Sequence, residues 1–404
     1  MQENILGAKL LQYLLKFMKN YNNGDEMSDK KIRVLEVNKL YYPVTGGIER
    51  LVQQIAEGLY KKMDIKVLVC REKGFGTKEL INGVEVIRAG SAGMLLSLPI
   101  SLSFLLKFRK MSKKTDIVHV HLPFPLADLA CLLSNYKGKI IVSWHSDIVR
   151  QKKMMKFYKP LMKKFLKRAD LILVATQGHI DGSDYLPEYR NKCKVVPYGV
   201  EPRIEQLADE YLSCKELDNE SYPKPVKFLF IGRLVYYKGC EILIEAFSKV
   251  KNAELCLVGT GPLEEKLRQK TMDLGIAEKV MFRGAITDDE MIQCIYDCDA
   301  LVLPSIVKSE AFGLVQLEAM VFEKPVINTN LPSGVPYVSL DKETGLTVEP
   351  GSPEELAKAM QWLVDHEDAR ITMGKNGRQR VKAQFTTKNM LENIEHIYCE
   401  LAKD

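Results

Sequence analysis

The chain has 404 residues, of which 46% are hydrophobic and 27% are charged. These values are those of an ordinary globular protein, and the length predicts two domains, each with its own core. No apolar run reaches the 18 or so residues that a transmembrane helix needs, and the start lacks the pattern of a signal peptide. The nine cysteines are scattered without a Cys-x-x-Cys pair, which indicates reduced thiols in a cytoplasmic protein and no cysteine metal centre.

The net charge of +6 is divided unevenly along the chain. Residues 1–200 contain 34 Lys+Arg against 18 Asp+Glu, which gives +16, and the remainder contains 24 against 34, which gives −10. A basic first half and an acidic second half predict that the first half meets an anionic surface. An anionic membrane leaflet and a nucleic acid are the two candidates for that surface.

The first 26 residues are predicted to form a helical appendage. Leu6, Leu10, Leu14 and Phe17 repeat with helical spacing, and a polar stretch at 21–26 separates this helix from the first domain, which we place at 27–200. Three roles for the appendage remain open, namely packing on that domain, contact with a membrane surface, or contact between subunits.

The first domain begins with a predicted strand, Lys31–Val37, which leads through Gly46 and Gly47 into a helix that ends near Tyr60. Two glycines between a strand and a helix let the backbone approach a ligand closely. Further strands at 66–70, 84–87 and 116–121, with a helix over Leu95–Arg109, give the alternation of a doubly wound parallel sheet.

Histidines stand at the carboxyl ends of two predicted strands. His121 ends one strand, with His119 on the same face, and His145 ends the strand Lys139–Trp144. Ligands bind beyond the carboxyl ends of the strands in such sheets, so both histidine ends are candidate binding positions. A histidine at a strand end has a structural role about as often as a functional one.

The segment 150–168 carries nine basic residues and no acidic one, interleaved with apolar residues. We interpret it as a pair of amphipathic helices that touch anionic lipid, where each basic residue contributes roughly 1 kcal/mol. A solvated basic face over a core face is the simpler alternative. Nucleic-acid binding is disfavoured because no known motif accompanies the patch.

A polar linker is predicted at 201–226, followed by a second domain at 227–385 and a final helix at 386–404. The second domain opens with a strand, Phe228–Ile231, and then Gly232, Arg233 and Lys238. Arginine and lysine beside one strand end are suited to holding a diphosphate. Gly259 and Gly284 end the next two strands.

Two glutamates, Glu310 and Glu318, stand eight positions apart after a buried strand at 300–303. Glu310 is predicted on a loop and Glu318 about two turns into a helix. Phe312, Gly313 and Leu314 lie between them, and their backbone N–H groups at the start of that helix form a candidate anion site.

This spacing resembles the E-x7-E signature of retaining glycosyltransferases of family 4, which have the GT-B fold of two Rossmann-like domains facing a cleft. The second-domain segments Gly232–Gly239, Val258–Pro262 and Thr344–Val348 are similar to further motifs of that family. In the first domain, 195–200 resembles its hinge turn, with Tyr198 in place of the usual asparagine, and Trp144–Asp147 resembles its strand-end histidine segment.

The resemblance implies roles for these residues. Arg233, Lys238 and the amides of 312–314 would stabilise a leaving diphosphate, while Glu310 would bind sugar hydroxyls and Glu318 the ribose. His145 would lie beside the sugar ring, and His121 is the second candidate for this role. Backbone near the glycines would contact donor phosphates or the nucleobase. The glycines so placed are Gly46, Gly47, Gly232, Gly259 and Gly284.

The resemblance implies that the final helix at 386–404 returns to the first domain, as the last helix of GT-B enzymes usually does. It also implies a metal-independent glycosyltransferase with no cofactor besides its nucleotide-sugar donor. The segment 309–320 and the turn 334–336 are similar to bacterial polysaccharide mannosyl- and rhamnosyltransferases, which favours GDP-mannose. The expected acceptor is a lipid-linked oligosaccharide or glycan, met at the cytoplasmic face of the cell membrane. An epimerase on the same fold and a carbohydrate- or nucleic-acid-binding protein are the alternatives.

Overall fold

The computed structural model describes residues 31–44, 46–95, 98–148, 152–214 and 224–403. The predicted helix of 1–26 therefore lies outside the described residues. The first sheet has the strand order β10-β9-β8-β7-β1-β2-β4-β3, in which only β3 runs antiparallel to its neighbour. Its strands are β1 Arg33–Val37, β2 Asp64–Cys70, β3 Thr77–Ile81, β4 Val84–Ala89, β7 Ile117–Leu122, β8 Lys139–Trp144, β9 Leu171–Val174 and β10 Cys193–Val195, and a small hairpin adds β5 Met94–Leu95 and β6 Leu98–Pro99.

Helices cover both faces of this sheet, because its central strands are apolar on both sides. The α-helices among the described residues of this part are α1 Gly47–Leu59, α2 Leu102–Ser112, α3 Pro125–Leu133, α4 Lys152–Arg168, α5 Gln177–Gly182 and α6 Pro202–Cys214. One core lies between the sheet and α2, α3 and α4. A second core lies on the opposite face, under α1 and the last helix of the chain.

The second sheet is wholly parallel and has the order β13-β12-β11-β14-β15-β16. Its strands are β11 Val226–Ile231, β12 Ala253–Val258, β13 Val280–Gly284, β14 Ala300–Val302, β15 Val326–Thr329 and β16 Gly345–Val348. Its helices are α7 Cys240–Phe247, α8 Glu264–Asp273, α9 Asp288–Asp297, α10 Val315–Val321, α11 Val335–Val338, α12 Pro353–Asp365, α13 Glu367–Gln384 and α14 Thr387–Lys403. The chain is therefore α/β with two doubly wound, Rossmann-like sheets, as the sequence predicted.

The chain crosses between the two domains twice, and the two crossings lie side by side. The Val200 amide donates to the carbonyl of Phe385, and the Thr387 hydroxyl donates to the carbonyl of Val200. From there α14 crosses onto the first sheet, where Met390, Ile394 and neighbouring residues join the core beneath α1.

Three local predictions differ from the structure. The helix predicted over Leu95–Arg109 begins only at Leu102, because Pro99 ends a hairpin strand and the Ser101 side chain accepts from the Phe104 amide as a cap. The first half of the predicted linker 201–226 is helix α6, whose Ile204 and Ala208 pack against the second domain's α9 and α10.

The third difference concerns the basic segment 150–168, where one helix, α4, replaces the predicted pair. Pro160 lies inside it, and Arg150 lies outside the described residues. Among the residues that the structure describes, no helix combines the length and the apolar character needed to cross a membrane.

Candidate functional site

In each sheet, the strand order places a crevice beyond the carboxyl ends of the strands. Neighbouring parallel strands whose connections leave in opposite directions open a gap beyond their carboxyl ends, where ligands bind. In the second sheet this switch lies between β11 and β14, so the segments that follow Ile231 and Val302 border the gap. In the first sheet it lies between β1 and β7, so the segments after Val37 and Leu122 border it.

Lys238 and Glu310 meet at the gap in the second sheet. The Lys238 Nζ lies 2.5 Å from Glu310 Oε2, and both side chains are largely buried. The fully buried Ser305 donates its hydroxyl to the same carboxylate oxygen at 3.0 Å. Buried charges need such partners, and these hold the carboxylate and the ammonium group in fixed positions.

Arg233 follows the same strand end as Lys238 but is exposed. Its guanidinium donates to the Tyr237 hydroxyl at 3.2 Å. Its remaining N–H donors suit it to a phosphate that enters the cleft, since guanidinium groups bind phosphate oxygens in pairs.

Three glycines end adjacent strands of the second sheet with positive φ. The φ values are +156° at Gly232, +124° at Gly259 and +65° at Gly284. The Gly259 amide donates to the Gly284 carbonyl at 2.8 Å, and a Cβ on Gly259 would overlap the Gly232 carbonyl. Backbone conformation and crowding both require glycine at 259, so this edge presents main chain rather than side chains to the crevice.

The loop after Glu310 faces the first domain. Gly313 has a φ of +72°, and Leu314 lies so close to Gly47 that a Cβ on that glycine would be 3.5 Å from the leucine Cδ1. The predicted glycine loop of 46–47 and the predicted anion loop of 312–314 thus face each other across the cleft.

Glu318 lies in the first turn of the seven-residue helix α10, and not two turns into a longer helix as predicted. Burial raises the pKa of Glu318 to about 7, which the positive charge of Arg50 opposes and the acidic Glu201 and Asp288 reinforce. Arg50, on α1, also donates to Asp288 at 2.8 Å. The carboxyl therefore lies between the two domains, within reach of charged groups from both.

His145 is almost fully buried at the end of β8, and both of its ring nitrogens are already engaged. Nε2 lies 3.1 Å from His121 Nδ1, and Nδ1 lies 2.6 Å from the Tyr198 hydroxyl. Burial, reinforced by His121 and His119, lowers the pKa of His145 well below its usual value, so the ring is neutral. Its proposed bond to a sugar hydroxyl stays a prediction and would require one of these contacts to open.

Three buried side chains in the described part of the chain are close enough to be considered as metal ligands, namely Glu36, His119 and His121. The Tyr398 hydroxyl lies 2.5 Å from Glu36 Oε1 and 2.6 Å from His119 Nδ1. His121 Nε2 also lies 2.9 Å from Glu36 Oε2. The candidate ligand atoms are thus already engaged with one another and with Tyr398 at hydrogen-bond distances, so we describe this group as a hydrogen-bonded cluster.

Nearly all the predicted residues therefore line one region. Lys238 contacts Glu310, the glycines 232, 259 and 284 adjoin the same strand ends, and the loop of 312–314 connects this group to Gly47. Sequence reasoning missed the three residues that hold the region together from outside the motifs, Arg50, Ser305 and Glu36. Glu36 could have been found from the sequence, because a glutamate inside an otherwise apolar strand needs buried partners.

The fold and this site define the class of protein, a two-domain GT-B glycosyltransferase. Solved structures share the fold. A sucrose-phosphate synthase from Thermosynechococcus elongatus superposes with a TM-score of 0.71 at 20% identity, covering 92% of this chain and 99% of that one. Anabaena HepE in complex with UDP gives 0.71 at 17% identity, covering 91% and 100%.

Sequence relationships give the family. The description "Glycosyltransferase Family 4" matches residues 45–203, and "Glycosyl transferases group 1" matches residues 216–380. O-antigen chain mannosyltransferase C of Escherichia coli is 31% identical over 373 residues, which cover 92% of this chain and 99% of that protein. D-rhamnosyltransferase WbpZ of Pseudomonas aeruginosa is 33% identical over 371 residues, which cover 88% and 92%. The chain belongs to the family 4 glycosyltransferases.

Proposed function

We propose that this enzyme transfers a sugar with retention of configuration from a nucleotide-sugar donor, GDP-mannose, to a lipid-linked or polysaccharide acceptor. The observation that carries the proposal is the buried Lys238–Glu310 pair at the switch point of the second sheet. It puts a cation for a phosphate and a carboxylate for sugar hydroxyls side by side, at the edge where the fold binds ligands.

Breaking the bond between the sugar carbon and phosphate leaves negative charge on the diphosphate and positive charge on the sugar ring. Lys238 and Arg233 would stabilise the departing diphosphate with fixed charges, aided by the amides of 312–314. Glu310 would bind the sugar hydroxyls and Glu318 the ribose. The charges are supplied by side chains, so we propose that no divalent metal is needed.

The choice of mannose is supported by the names of the two sequence relatives, a mannosyltransferase and a rhamnosyltransferase. A solved structure of the same fold holds UDP, so uridine is the competing nucleoside. Thermal-shift measurements with GDP, UDP, ADP and their sugars test the choice directly. A larger stabilisation by GDP than by UDP is expected, and the reverse order would replace the proposed donor.

A membrane-bound acceptor is supported by the surface of the first domain. Exposed lysines of α4 flank Phe157, which is 87% exposed, and elsewhere in the same domain Leu95, Ile100 and Leu102 are exposed. Basic residues beside exposed apolar side chains suit a peripheral contact with the anionic inner face of the cell membrane. In this proposal the second domain binds the donor and no nucleic acid is involved.

The site assignment is tested by Glu310→Ala, Lys238→Ala and Arg233→Ala, assayed with GDP-mannose and a glycan acceptor. Each change is expected to lower the transfer rate by about two orders of magnitude, the usual cost of losing a charge-stabilising group. Lys266→Ala, an exposed lysine on α8 paired with Glu241, is the control. Near-normal turnover in all three variants would contradict the proposal, and so would a sugar product formed without any acceptor. Loss of activity when a chelator is added would contradict the proposal that no metal is needed.

A further inference from the structure

A chain of buried polar groups crosses one face of the first sheet. Side chains two residues apart on a strand share a face, and the parallel register aligns Glu36 with His119 and His121 with Ser143. His145 follows Ser143 on the same face. The strand registers therefore bring Glu36, His119, His121 and His145 together beneath α1 and α14, although these residues are far apart in sequence.

The position of each proton along this chain follows from its one charged end. Burial alone would raise the pKa of Glu36, but the contacts with His119 and His121 outweigh it and hold that pKa well below its usual value. The carboxylate can only accept, so His121 donates from Nε2, at 2.9 Å. Burial lowers the pKa of His121 to about 4, so this ring is neutral and its Nδ1 accepts.

The same rule fixes the next two contacts. Because His121 Nδ1 accepts, His145 must donate from Nε2 across the 3.1 Å contact. His145 is neutral, so its own Nδ1 accepts, and the Tyr198 hydroxyl donates to it at 2.6 Å. Burial raises the pKa of Tyr198, which keeps the phenol protonated and able to donate.

Tyr198 also contacts the second domain. Its ring centroid lies 4.9 Å from that of Phe312, two residues after Glu310 in the loop that faces the cleft. The hydroxyl of Tyr198 therefore holds a histidine of the first domain while its ring packs against the glutamate loop of the second. Among the residues that the structure describes, Tyr198 provides a direct aromatic link between the hinge and that loop.

We propose that Tyr198 is a positioning residue: its hydroxyl holds the His145 ring, whose Nε2–H tautomer is set by Glu36 through His121, and its own ring holds the loop that carries Glu310 against the first domain. The effect on transfer rests on the proposed function, whereas the tautomers do not. A phenol is suited to this role because it combines a donor with a flat apolar surface.

The tautomers are tested by long-range 15N–1H NMR of protein labelled at histidine, which separates Nε2–H, Nδ1–H and doubly protonated rings. The chain has only six histidines, and single histidine substitutions assign them. His121 and His145 are both expected as Nε2–H. In Tyr198→Phe the tautomer of His145 stays the same while its Nδ1 resonance shifts, because its donor is gone. An Nδ1–H or doubly protonated His145 in the unaltered protein would overturn the proposal.

A kinetic comparison tests the positioning role. Tyr198→Phe is expected to lower kcat about tenfold while the donor KM changes less than about twofold. Tyr136→Phe is the matched control, since it removes a hydroxyl that donates to Asp116 and Thr115 carbonyls at the opposite edge of the sheet. In a His145→Ala background the Tyr198 change should have little further effect. An undiminished effect there, or equal losses at Tyr198 and Tyr136, would contradict the role.

If no nucleotide sugar supports turnover, the proposed function fails while the NMR result still decides the hydrogen-bond chain. Metal analysis of the purified protein adds an independent check. Zinc bound in one equivalent and lost on Glu36→Gln substitution would replace the hydrogen-bonded chain by a metal site and overturn the proposal.

Discussion

Glu318 shows how the cleft changes the chemistry of a single side chain. Its carboxyl lies between Arg50 of one domain and the acidic Glu201 and Asp288, and burial outweighs the arginine. In the folded protein it therefore binds a proton more tightly than in the unfolded chain. A carboxyl with a raised pKa stabilises the fold below its ordinary pKa, and that stability is lost as the pH rises through the folded value.

We expect Glu318→Gln to remove this pH dependence. The melting temperatures of the two proteins should be similar near pH 5, and the variant should become progressively more stable than the unaltered protein as the pH rises through about 7. Glu323→Gln, which exchanges a glutamate two residues after the end of the same helix, serves as the control. A difference between variant and unaltered protein that stays constant from pH 5 to 8 would show that Glu318 titrates normally.

The residues that sequence motifs could predict are those whose positions follow from the order of strand, loop and helix. Lys238 and Glu310 each follow an apolar strand, so their meeting at one edge was predictable from parallel pairing. The Glu36–His121–His145–Tyr198 chain was not, because it depends on which strands are neighbours and on their register. Tyr398, near the end of the chain, completes that cluster; the return of its helix to the first domain was expected, but no local pattern specifies that Tyr398 reaches Glu36.

Among the elements, the strand ends of the second sheet depend most closely on glycine. Gly259 and Gly284 both have positive φ, but only Gly259 faces another backbone at close range. An added Cβ at Gly259 would therefore cause both steric overlap and conformational strain, whereas at Gly284 it would cause conformational strain alone.

We expect Gly259→Ala to lower the free energy of unfolding of the second domain by about 3 kcal/mol or more, and Gly284→Ala by only about 1 kcal/mol. Urea titration followed by circular dichroism measures both. Equal losses would mean that the close approach of Gly259 to Gly232 relaxes at no cost.

Helix α4 gives a second prediction at the scale of an element. Lys156, Lys164 and Lys167 are exposed, and neutralising all three to glutamine should weaken binding to phosphatidylserine vesicles about 10²-fold, at roughly 1 kcal/mol per lysine. A matched triple change of the exposed second-domain lysines 279, 358 and 375 gives the same net charge. Cosedimentation distinguishes them, and equal weakening by both triples would mean that net charge rather than this helix directs binding.

At the scale of the whole molecule, the two domains touch beyond the hinge. Lys308 of the second domain donates to the Gly182 carbonyl at 3.1 Å and pairs with Asp184 at 2.8 Å. A Cβ on Gly182 would overlap the carbonyl of Pro332. The composition of the chain could not predict this contact, since it depends on surface fit between distant segments.

We expect Gly182→Ala to hold the cleft more open. The radius of gyration from small-angle scattering should rise, and the transfer rate should fall by as much as about 10²-fold, because a displacement of about 1 Å between reacting groups has this effect. Gly351→Ala, at a surface turn with no neighbour within 4 Å of the added Cβ, is the control. An unchanged radius of gyration together with reduced activity would show that Gly182→Ala does not act by opening the cleft.

The contact between Tyr398 and Glu36 has a consequence for biosynthesis. A ribosome makes the strand that carries Glu36 first and the helix that carries Tyr398 about 360 residues later, at roughly 5–20 residues per second. During that interval the carboxylate lacks a hydroxyl partner, and the apolar surface that α14 will cover faces solvent. The amino-terminal lobe should therefore reach its final packing only after the carboxy-terminal lobe has been translated, so nascent chains halted before residue 387 would be more readily digested by protease in both loops and core.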